Sequence, residues 1–211
     1  MTTLSDISYK LNLRNRRPAE NVRLPPLILM TDNIKLPDPL PVAAALPCGS
    51  AVILRHYDAP DRSGLAHELA ALCRRKHLRL LVAGDARLAL AVGAAGLHLP
   101  EKQARQGPGT WQAWRRPDWI VTAAAHSPAA LRQAARIGAD AALLSPVFES
   151  AGHSELSPLG PLLFAAWRRS SPLPVYALGG VSAATAPRLS ISGCCGLAAI
   201  DGLASPCSLV Y

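Results

Sequence analysis

The residues best suited to chemistry in this sequence follow short apolar runs of the chain. His126 and Ser127 come just after the apolar run that ends at Ala124. An imidazole in such a position is suited to proton transfer near neutral pH. The alternative, which we call the rim interpretation, is a structural histidine at the end of a strand whose ring binds a backbone carbonyl. His126 is therefore a candidate general acid/base, with the rim interpretation as the alternative.

Glycines and an arginine after other apolar runs predict an anion site. Gly179 and Gly180 follow one run, and Ile200 and Asp201 end the last one. Glycines allow backbone N–H groups to approach a ligand closely, as in phosphate-binding loops. Arg55 ends an earlier run, and its guanidinium can hold an anion through two parallel hydrogen bonds. The alternative for the two glycines is an ordinary turn, and the alternative for Arg55 is a structural salt bridge at the end of its strand.

Two further features concern ligand contact and the core. The segment 148–154 is polar, long and contains glycine, so it can fold over a ligand. His98, by contrast, lies inside an apolar run, and we predict it to be a packed core histidine.

Eight short apolar runs must position these residues. They are almost entirely apolar, which is typical of strands buried on both faces of a parallel sheet. The predicted strands are 27–31, 51–55, 80–82, 96–99, 120–124, 141–145, 175–178 and 196–200.

Stretches rich in Ala, Leu and Arg separate these runs and are predicted to be helices. Ser63 and Ser127 are plausible N-caps, and Gly93 and Gly138 are plausible helix ends. The predicted helices are 63–76, 86–92, 127–137, 184–191 and a segment around 161–169.

Strands that alternate with helices predict an α/β fold, a small single-domain (β/α)₈ TIM barrel over residues 26–211. An open doubly wound sheet is the alternative. A dinucleotide-binding sheet is disfavoured because no GxGxxG follows the first strand. Residues 1–25 form a basic N-terminal extension with Arg14, Arg16 and Arg17, predicted as a loose arm or a short added helix.

The composition excludes several classes of protein. Half of the 211 residues are hydrophobic and 17% are charged, which excludes an intrinsically disordered chain. No charge-free apolar run reaches the roughly 18 residues of a membrane span. The five cysteines form no CxxC pair, so neither a disulfide framework nor a zinc site is indicated. With no secretory signal pattern, we expect the reducing cytoplasm as the location.

The net charge of +8 is compatible with an anionic partner, but solvated arginines on outer helices are the preferred explanation. Nucleic acid is an unlikely partner, because aromatic residues make up 5% of the chain and are not interleaved with basic ones. A small phosphorylated ligand needs only local positive groups. A homo-oligomer is an alternative to a monomer.

Taken together, the motifs resemble the thiamine-phosphate synthase/TenI family over residues 27–203. The resemblance is specific through the order and spacing of its anchors, which are Leu29-Met30-Thr31-Asp32, residues 93–99, Gly138-Ala139-Asp140, Ser145-Pro146-Val147-Phe148, Pro158-Leu159-Gly160, residues 177–181 and residues 193–200. It implies a (β/α)₈ barrel that acts in thiamine biosynthesis.

The synthases of this family join a pyrimidine diphosphate to a thiazole phosphate and use Mg²⁺. Several of their site residues are replaced here. The arginine of their Arg-x-Lys motif matches Arg55, but the lysine becomes Tyr57. Their Asn-Asp pair falls on Ala83 and Gly84, and a second metal aspartate falls near Gln103. Mg²⁺ prefers carboxylate oxygens, and neither aspartate is kept at these positions. We therefore expect no metal and no cofactor.

Other replacements affect the thiazole-phosphate side. The family's serine after strand five becomes Ala124, and its Thr-x-Thr-Lys loop becomes residues 150–153, where Ser150 keeps a hydroxyl and His153 replaces the lysine. The serine after strand eight becomes Asp201, whose carboxylate would repel a phosphate unless only its backbone N–H faces the ligand.

The resemblance to TenI is better preserved. TenI proteins share the fold but lack synthase activity, and the characterised kind is a thiazole tautomerase that moves a proton without a metal. Its Ser-x-His-Ser motif matches residues 124–127, which places His126 on the proton-transfer histidine. We therefore expect a metal-independent isomerase or binder of a phosphorylated thiazole.

In that interpretation Gly179, Gly180 and the turn at Ile200 and Asp201 hold the phosphate. Arg55, Ser150 and His153 contact the carboxylate or the ring. Two alternatives are a divergent thiamine-phosphate synthase, with Asp85 and Glu101 as replacement metal ligands, and a non-catalytic binding or interaction protein.

Overall fold

A closed barrel of eight parallel strands organises the protein. The structure is a computed structural model that describes residues 3–15, 24–149 and 157–204. Neighbouring strands pair in chain order, and the last pairs with the first. The strands are β1 Leu27–Met30, β2 Ala51–Leu54, β3 Arg79–Ala83, β4 Gly96–Leu99, β5 Ile120–Ala125, β6 Ala141–Leu144, β7 Val175–Ala177 and β8 Gly196–Ala199. The predicted TIM barrel is confirmed, and each predicted strand lies within one or two residues of an observed one.

Helices cover the outside of the barrel and one of its ends. They are α1 Leu4–Asn15, α2 Leu40–Ala44, α3 Arg62–Arg75, α4 Ala86–Ala91, α5 Glu101–Arg105, α6 Pro128–Arg136, α7 Gly160–Arg169 and α8 Asp201–Ala204. Three 3₁₀ turns accompany them, at Pro108–Thr110, Gln112–Trp114 and Ala186–Leu189. In the described ranges, no helix is long and apolar enough to cross a membrane.

The predicted helix ends are partly correct. Ser127 caps α6 by accepting a hydrogen bond from the Ala130 amide at 3.1 Å. Ser63 was the wrong N-cap for α3, because Asp61 begins the helix and accepts from the Gly64 amide at 2.7 Å.

The predicted helix 184–191 is reduced to the turn Ala186–Leu189. Before it, the Thr185 hydroxyl bonds the Gly180 carbonyl at 2.8 Å, and the Ser182 hydroxyl accepts from the Thr185 amide at 3.3 Å. Such local side-chain bonds compete with helix formation, so the segment stays irregular.

Two packed layers make the core. Residues that point into the barrel alternate with residues that pack under the helices. Among the inward ones, Ile28, Ile53, Leu81 and Leu143 fill the interior, and the Tyr176 hydroxyl closes one end through the Pro25 carbonyl at 2.6 Å. The barrel is therefore a filled core, and enzymes of this fold bind their ligands at its carboxyl-terminal mouth.

The described part of the N-terminal extension is a helix rather than a loose arm. Helix α1 covers the amino-terminal end of the barrel, where Asn12 donates to the Cys195 carbonyl at 2.7 Å and Asn15 to the Cys194 carbonyl at 3.0 Å. Both of these cysteines are buried, and neither is in a disulfide. Residues 16–23, with Arg16 and Arg17, lie outside the described residues.

Candidate functional site

A pocket of about 270 Å³ opens at the carboxyl-terminal mouth of the barrel, where β7, β8, β1 and β2 end. Its wall contains the predicted residues Arg55, Gly179, Gly180, Ile200 and Asp201. The remaining lining residues are Asp32, Lys35, Glu149, Leu178, Val181, Ser182, Ala199 and Gly202. Tertiary structure thus brings together residues from three separate predicted loops.

Glycines allow the backbones of these loops to touch. A Cβ on Gly180, which has φ +61°, would lie 2.3 Å from the Glu149 carbonyl oxygen. A Cβ on Gly202 would lie 2.1 Å from the Val181 carbonyl oxygen. The Gly179 carbonyl also accepts from the Phe148 amide at 3.0 Å. These glycines are required for close packing and are more than ordinary turn residues.

Two cations face the pocket, each beside a carboxylate. The Arg55 guanidinium lies 3.5 Å from the Asp32 carboxylate, and the Lys35 ammonium lies 3.0 Å from the Asp201 carboxylate. The salt-bridge interpretation of Arg55 is thus correct, but its partner also lines the pocket. Lys35 was missed by sequence reasoning, although its position just after β1 was a usable signal, because strand ends carry the site in this fold.

Asp32 organises the loop that carries Lys35. Its carboxylate accepts hydrogen bonds at 3.0 Å from the amides of Ile34 and Lys35. Burial alone would raise the pKa of Asp32, but these two amides and the Arg55 guanidinium outweigh it and hold the pKa below its ordinary value. Asp32 is therefore an anion at neutral pH and fixes Lys35 at the rim.

Asp201 begins α8 and lies at the outer edge of the pocket. Its side chain is 61% exposed, and its carboxylate points to Lys35. The expected repulsion between Asp201 and a phosphate is thus reduced by the pairing with Lys35.

His126 lies on a different part of the mouth and is not among the residues that line the pocket. Its Nδ1 is 2.8 Å from the Ser145 carbonyl oxygen, as in the rim interpretation. Its Nε2 is 4.0 Å from a Glu101 carboxylate oxygen, and the same carboxylate accepts from the His126 amide at 2.9 Å. With 30% of its side chain exposed, the imidazole combines a fixed orientation with access to solvent.

Ser150 and His153, the two other predicted contact residues, lie outside the described residues. The structure therefore does not test their predicted contact with a ligand.

The opposite side of the mouth is filled by a side chain. The Arg62 guanidinium, from the first turn of α3, donates to the Arg55 carbonyl at 3.1 Å and to the Ala83 carbonyl at 2.6 Å. It also lies 5.4 Å from the centre of the Tyr57 ring. We call the ends of β3 and β4, with Arg62 and Tyr57, the closed side, and the pocket the open side.

The closed side does not fit a magnesium ion. Asp85 caps α4 through the Leu88 amide at 2.9 Å and lies 3.9 Å from Arg62, while Glu101 binds His126. Gln103, near the family's second metal aspartate, offers a neutral amide. No three His, Cys, Asp or Glu side chains converge as metal ligands within the described part of the chain. In this structure Asp85 and Glu101 thus have protein partners, the Leu88 amide and Arg62 for the first and His126 for the second.

His98 is a core residue, as predicted. It is 3% exposed, and its Nδ1 lies 2.9 Å from the Thr122 hydroxyl on the neighbouring strand. Burial, with a smaller effect of the Arg55 charge, lowers the pKa of His98 to about 3. The ring is thus neutral at physiological pH and packs inside the barrel beneath the mouth.

Comparison with known proteins identifies the family. The sequence profile of the TMP-TENI family, described as thiamine monophosphate synthase, matches residues 30–203. A protein named putative thiamine-phosphate synthase 2 from Aquifex aeolicus is 37% identical over 133 residues, which are 62% of this chain and 70% of that protein. The thiamine-phosphate synthase of Thiobacillus denitrificans is 34% identical over 171 residues, which are 77% of this chain and 78% of that protein.

Structural comparison supports the same fold. The thiamine phosphate pyrophosphorylase from Pyrococcus furiosus superposes with a TM-score of 0.69 at 23% identity, over 86% of this chain and 89% of that one. With the profile match and the sequence relatives, the conclusion is that this chain belongs to the thiamine monophosphate synthase/TenI family.

Proposed function

We propose that this protein is a TenI-like thiazole phosphate isomerase, which binds a phosphorylated thiazole and moves a proton on its ring without a metal ion. The observation that carries the proposal is the asymmetry of the mouth. The open side keeps a cationic, glycine-bounded pocket, whereas a guanidinium occupies the closed side, where the resemblance places the metal and the diphosphate.

The phosphate belongs in the open side. Lys35 and Arg55 supply positive charge, and Gly179 and Gly180 leave the backbone accessible on the β7 side. A phosphate that approaches Lys35 competes with the Asp201 carboxylate, which is largely exposed and can turn to solvent.

The proton transfer belongs to His126. With Nδ1–H donated to the Ser145 carbonyl, Nε2 keeps a lone pair and acts as the base. It would take a proton from the ring of the non-aromatic tautomer and return it at another ring position, so no electrons are lost or gained. The Glu101 carboxylate, 4.0 Å from Nε2, stabilises the imidazolium formed in between.

The pocket and His126 are joined through neighbouring strands. Leu178 lines the pocket, and its amide donates to the Leu144 carbonyl at 3.1 Å. The next residue, Ser145, holds the imidazole of His126. The proposal therefore requires a ligand that is anchored by its phosphate at the open side and reaches past Leu178 and Ser145.

The test follows the thiazole carboxylate phosphate tautomer by NMR, with the protein and with a chelator present. We expect conversion to the aromatic tautomer in the wild type and its loss in His126→Ala, with ligand line broadening retained in both. His67→Ala is the matched control, because His67 is exposed on α3 and bonds only its own helix, at the Ser63 carbonyl. Conversion that persists in His126→Ala would contradict the assigned role.

Specific observations favour two other candidates. The relatives named above carry the name thiamine-phosphate synthase, which favours a divergent synthase. Release of pyrophosphate when both synthase substrates and Mg²⁺ are supplied would support that activity and contradict the metal-independent proposal. The replacement of family site residues, at Tyr57, Ala83 and Gly84, instead favours a non-catalytic binder, for which line broadening without any turnover is the expected result.

A further inference from the structure

A strained residue lies at the edge of the pocket. His56, two residues after β2, has φ +26°, in a region that L-residues rarely adopt. In the described ranges, His77 is the one other non-glycine residue with a positive φ, and it lies at the opposite end of the barrel. Such strain persists only where surrounding contacts impose it, and it often accompanies functional sites.

The contacts that impose it are hydrogen bonds of the buried ring. His56 is 3% exposed, with Nδ1 2.8 Å from the Thr31 hydroxyl and Nε2 3.3 Å from the Pro37 carbonyl oxygen. Thr31 Oγ1 accepts from the Arg55 amide at 3.0 Å. The Thr31 hydroxyl hydrogen is then directed to Nδ1, and the Nε2 hydrogen to the Pro37 carbonyl.

These bonds clamp the loop that carries Lys35. Thr31 comes just before the turn that is closed by the bridge between Asp32 and Leu36, and Pro37 comes just after it. One imidazole therefore holds both ends of this turn. Through Thr31 it also holds the backbone amide of Arg55, so both cations of the pocket are attached to the same ring.

We propose that His56 is a positioning residue that fixes Lys35 and Arg55 at the spacing needed to bind a phosphate group. It touches neither the pocket nor the ligand and acts through Thr31 and the turn 32–36. The inference rests on the proposed function only in its assignment of phosphate to the open side.

The test compares two glycine substitutions in the full-length protein. His56→Gly and His77→Gly both relieve a positive φ, but only the first removes the clamp. Inorganic phosphate is titrated into each variant, and amide hydrogen exchange is measured at Leu36 and Arg55. For His56→Gly we expect phosphate binding weakened roughly ten-fold, as for one lost positioning hydrogen bond, with faster exchange at both amides and no change in the strands.

A conservative variant separates positioning from general stability. In His56→Asn the side chain keeps an acceptor near the place of Nδ1, and asparagine tolerates positive φ. It should restore most of the affinity, and His77→Gly should bind like the wild type. If His56→Gly fails to fold, Thr31→Val tests the same link, because it removes the hydroxyl and keeps the shape.

Two results would overturn the inference. One is wild-type phosphate affinity and exchange in His56→Gly, and the other is an equal loss of affinity in His77→Gly. A wild type that does not bind phosphate would instead refute the phosphate assignment of the proposed function. Amide exchange at Leu36 and Arg55 would still decide whether His56 holds the turn.

Discussion

The two sides of the barrel mouth use their charges differently. On the open side, Lys35 and Arg55 face a pocket and have exposed or partly exposed carboxylates as partners. On the closed side, the single Arg62 guanidinium is bonded to backbone carbonyls and fills the space between strand ends. A cation held by backbone carbonyls has little capacity left for a ligand, while Lys35, whose partner Asp201 is 61% exposed, can exchange that carboxylate for another anion.

Under the proposed function, the open side of the mouth keeps a binding site and the closed side does not. The parallel barrel places all strand ends at one mouth, so each side can change without moving the rest. Here Ala83 ends β3 and Gly84 follows it, and the Arg62 side chain from α3, the helix before β3, donates to the Ala83 carbonyl. The following predictions test this division, in order of expected effect.

The largest effect is expected for Gly180→Ala. Its Cβ would lie 2.3 Å from the Glu149 carbonyl at φ +61°, so phosphate binding should be abolished and stability should fall by about 3 kcal/mol. Gly49→Ala is the matched control, because it has φ +82° with nothing within 4 Å and should cost about 1 kcal/mol without affecting phosphate. Urea denaturation and phosphate titration measure both. Equal losses in the two variants would show that strain, not loop contact, is responsible.

Arg62→Met should lower the stability of the closed side and leave phosphate binding at the open side nearly unchanged. Its loss leaves the Arg55 and Ala83 carbonyls without this donor, which should cost about 2 kcal/mol in urea denaturation. Phosphate affinity should stay within about two-fold of the wild type, since Thr31 still holds the Arg55 amide. Arg116→Met, at an exposed surface pair, should cost less than about 0.5 kcal/mol. A large loss of phosphate binding in Arg62→Met would mean that the two sides are not independent.

Acidification should lower the stability of the protein through His98, which is buried in the barrel interior beneath the mouth. The pKa of His98 is lowered from 6.5 to about 3, so the unfolded chain takes up a proton at higher pH than the folded one. The contribution of neutral His98 to the free energy of unfolding is fully present above the pKa of the unfolded chain. It is lost as pH falls from 6.5 towards about 3, the pKa in the folded protein. The melting temperature should therefore fall between about pH 7 and pH 5, by an amount that corresponds to about 2 kcal/mol.

His98→Gln is the matched variant for this measurement, since it keeps a hydrogen-bonding group and does not titrate. Its melting temperature should change less over the same pH interval. The same acid sensitivity in the variant would show that other groups cause it and that His98 is accessible to solvent.

The smallest of the four effects is expected for Lys35→Met, which should weaken phosphate binding roughly ten-fold without loss of stability. Lys102→Met, on the exposed face of α5, controls for the change in net charge. In the double variant with Asp201→Asn the loss of phosphate affinity should persist, because the missing ammonium, and not repulsion by the Asp201 carboxylate, is its cause. Recovery in the double variant would assign the effect to repulsion by Asp201.

Local patterns predicted the fold well and the site incompletely. Apolar runs identified all eight strands, and Ser127, Gly93 and Gly138 marked helix ends because caps and positive φ act within a few residues. The structure brings the candidate anion-binding residues together at one pocket, namely Arg55, Gly179, Gly180, Ile200 and Asp201. The roles of Glu101 and Asp85 were not predicted, because each depends on a neighbouring element that local pattern does not identify.

The sequence by itself determined the barrel, its family and the strand ends from which the mouth is built, since periodicity, capping and motif order are local properties. Only the tertiary structure decided which side chains meet. Closure of β8 on β1 brings Lys35 to Asp201, whereas His126, which follows β5, lies outside the pocket. Pairings across such distances in the chain depend on barrel register and on the space left between neighbouring strands, which no local pattern of residues encodes.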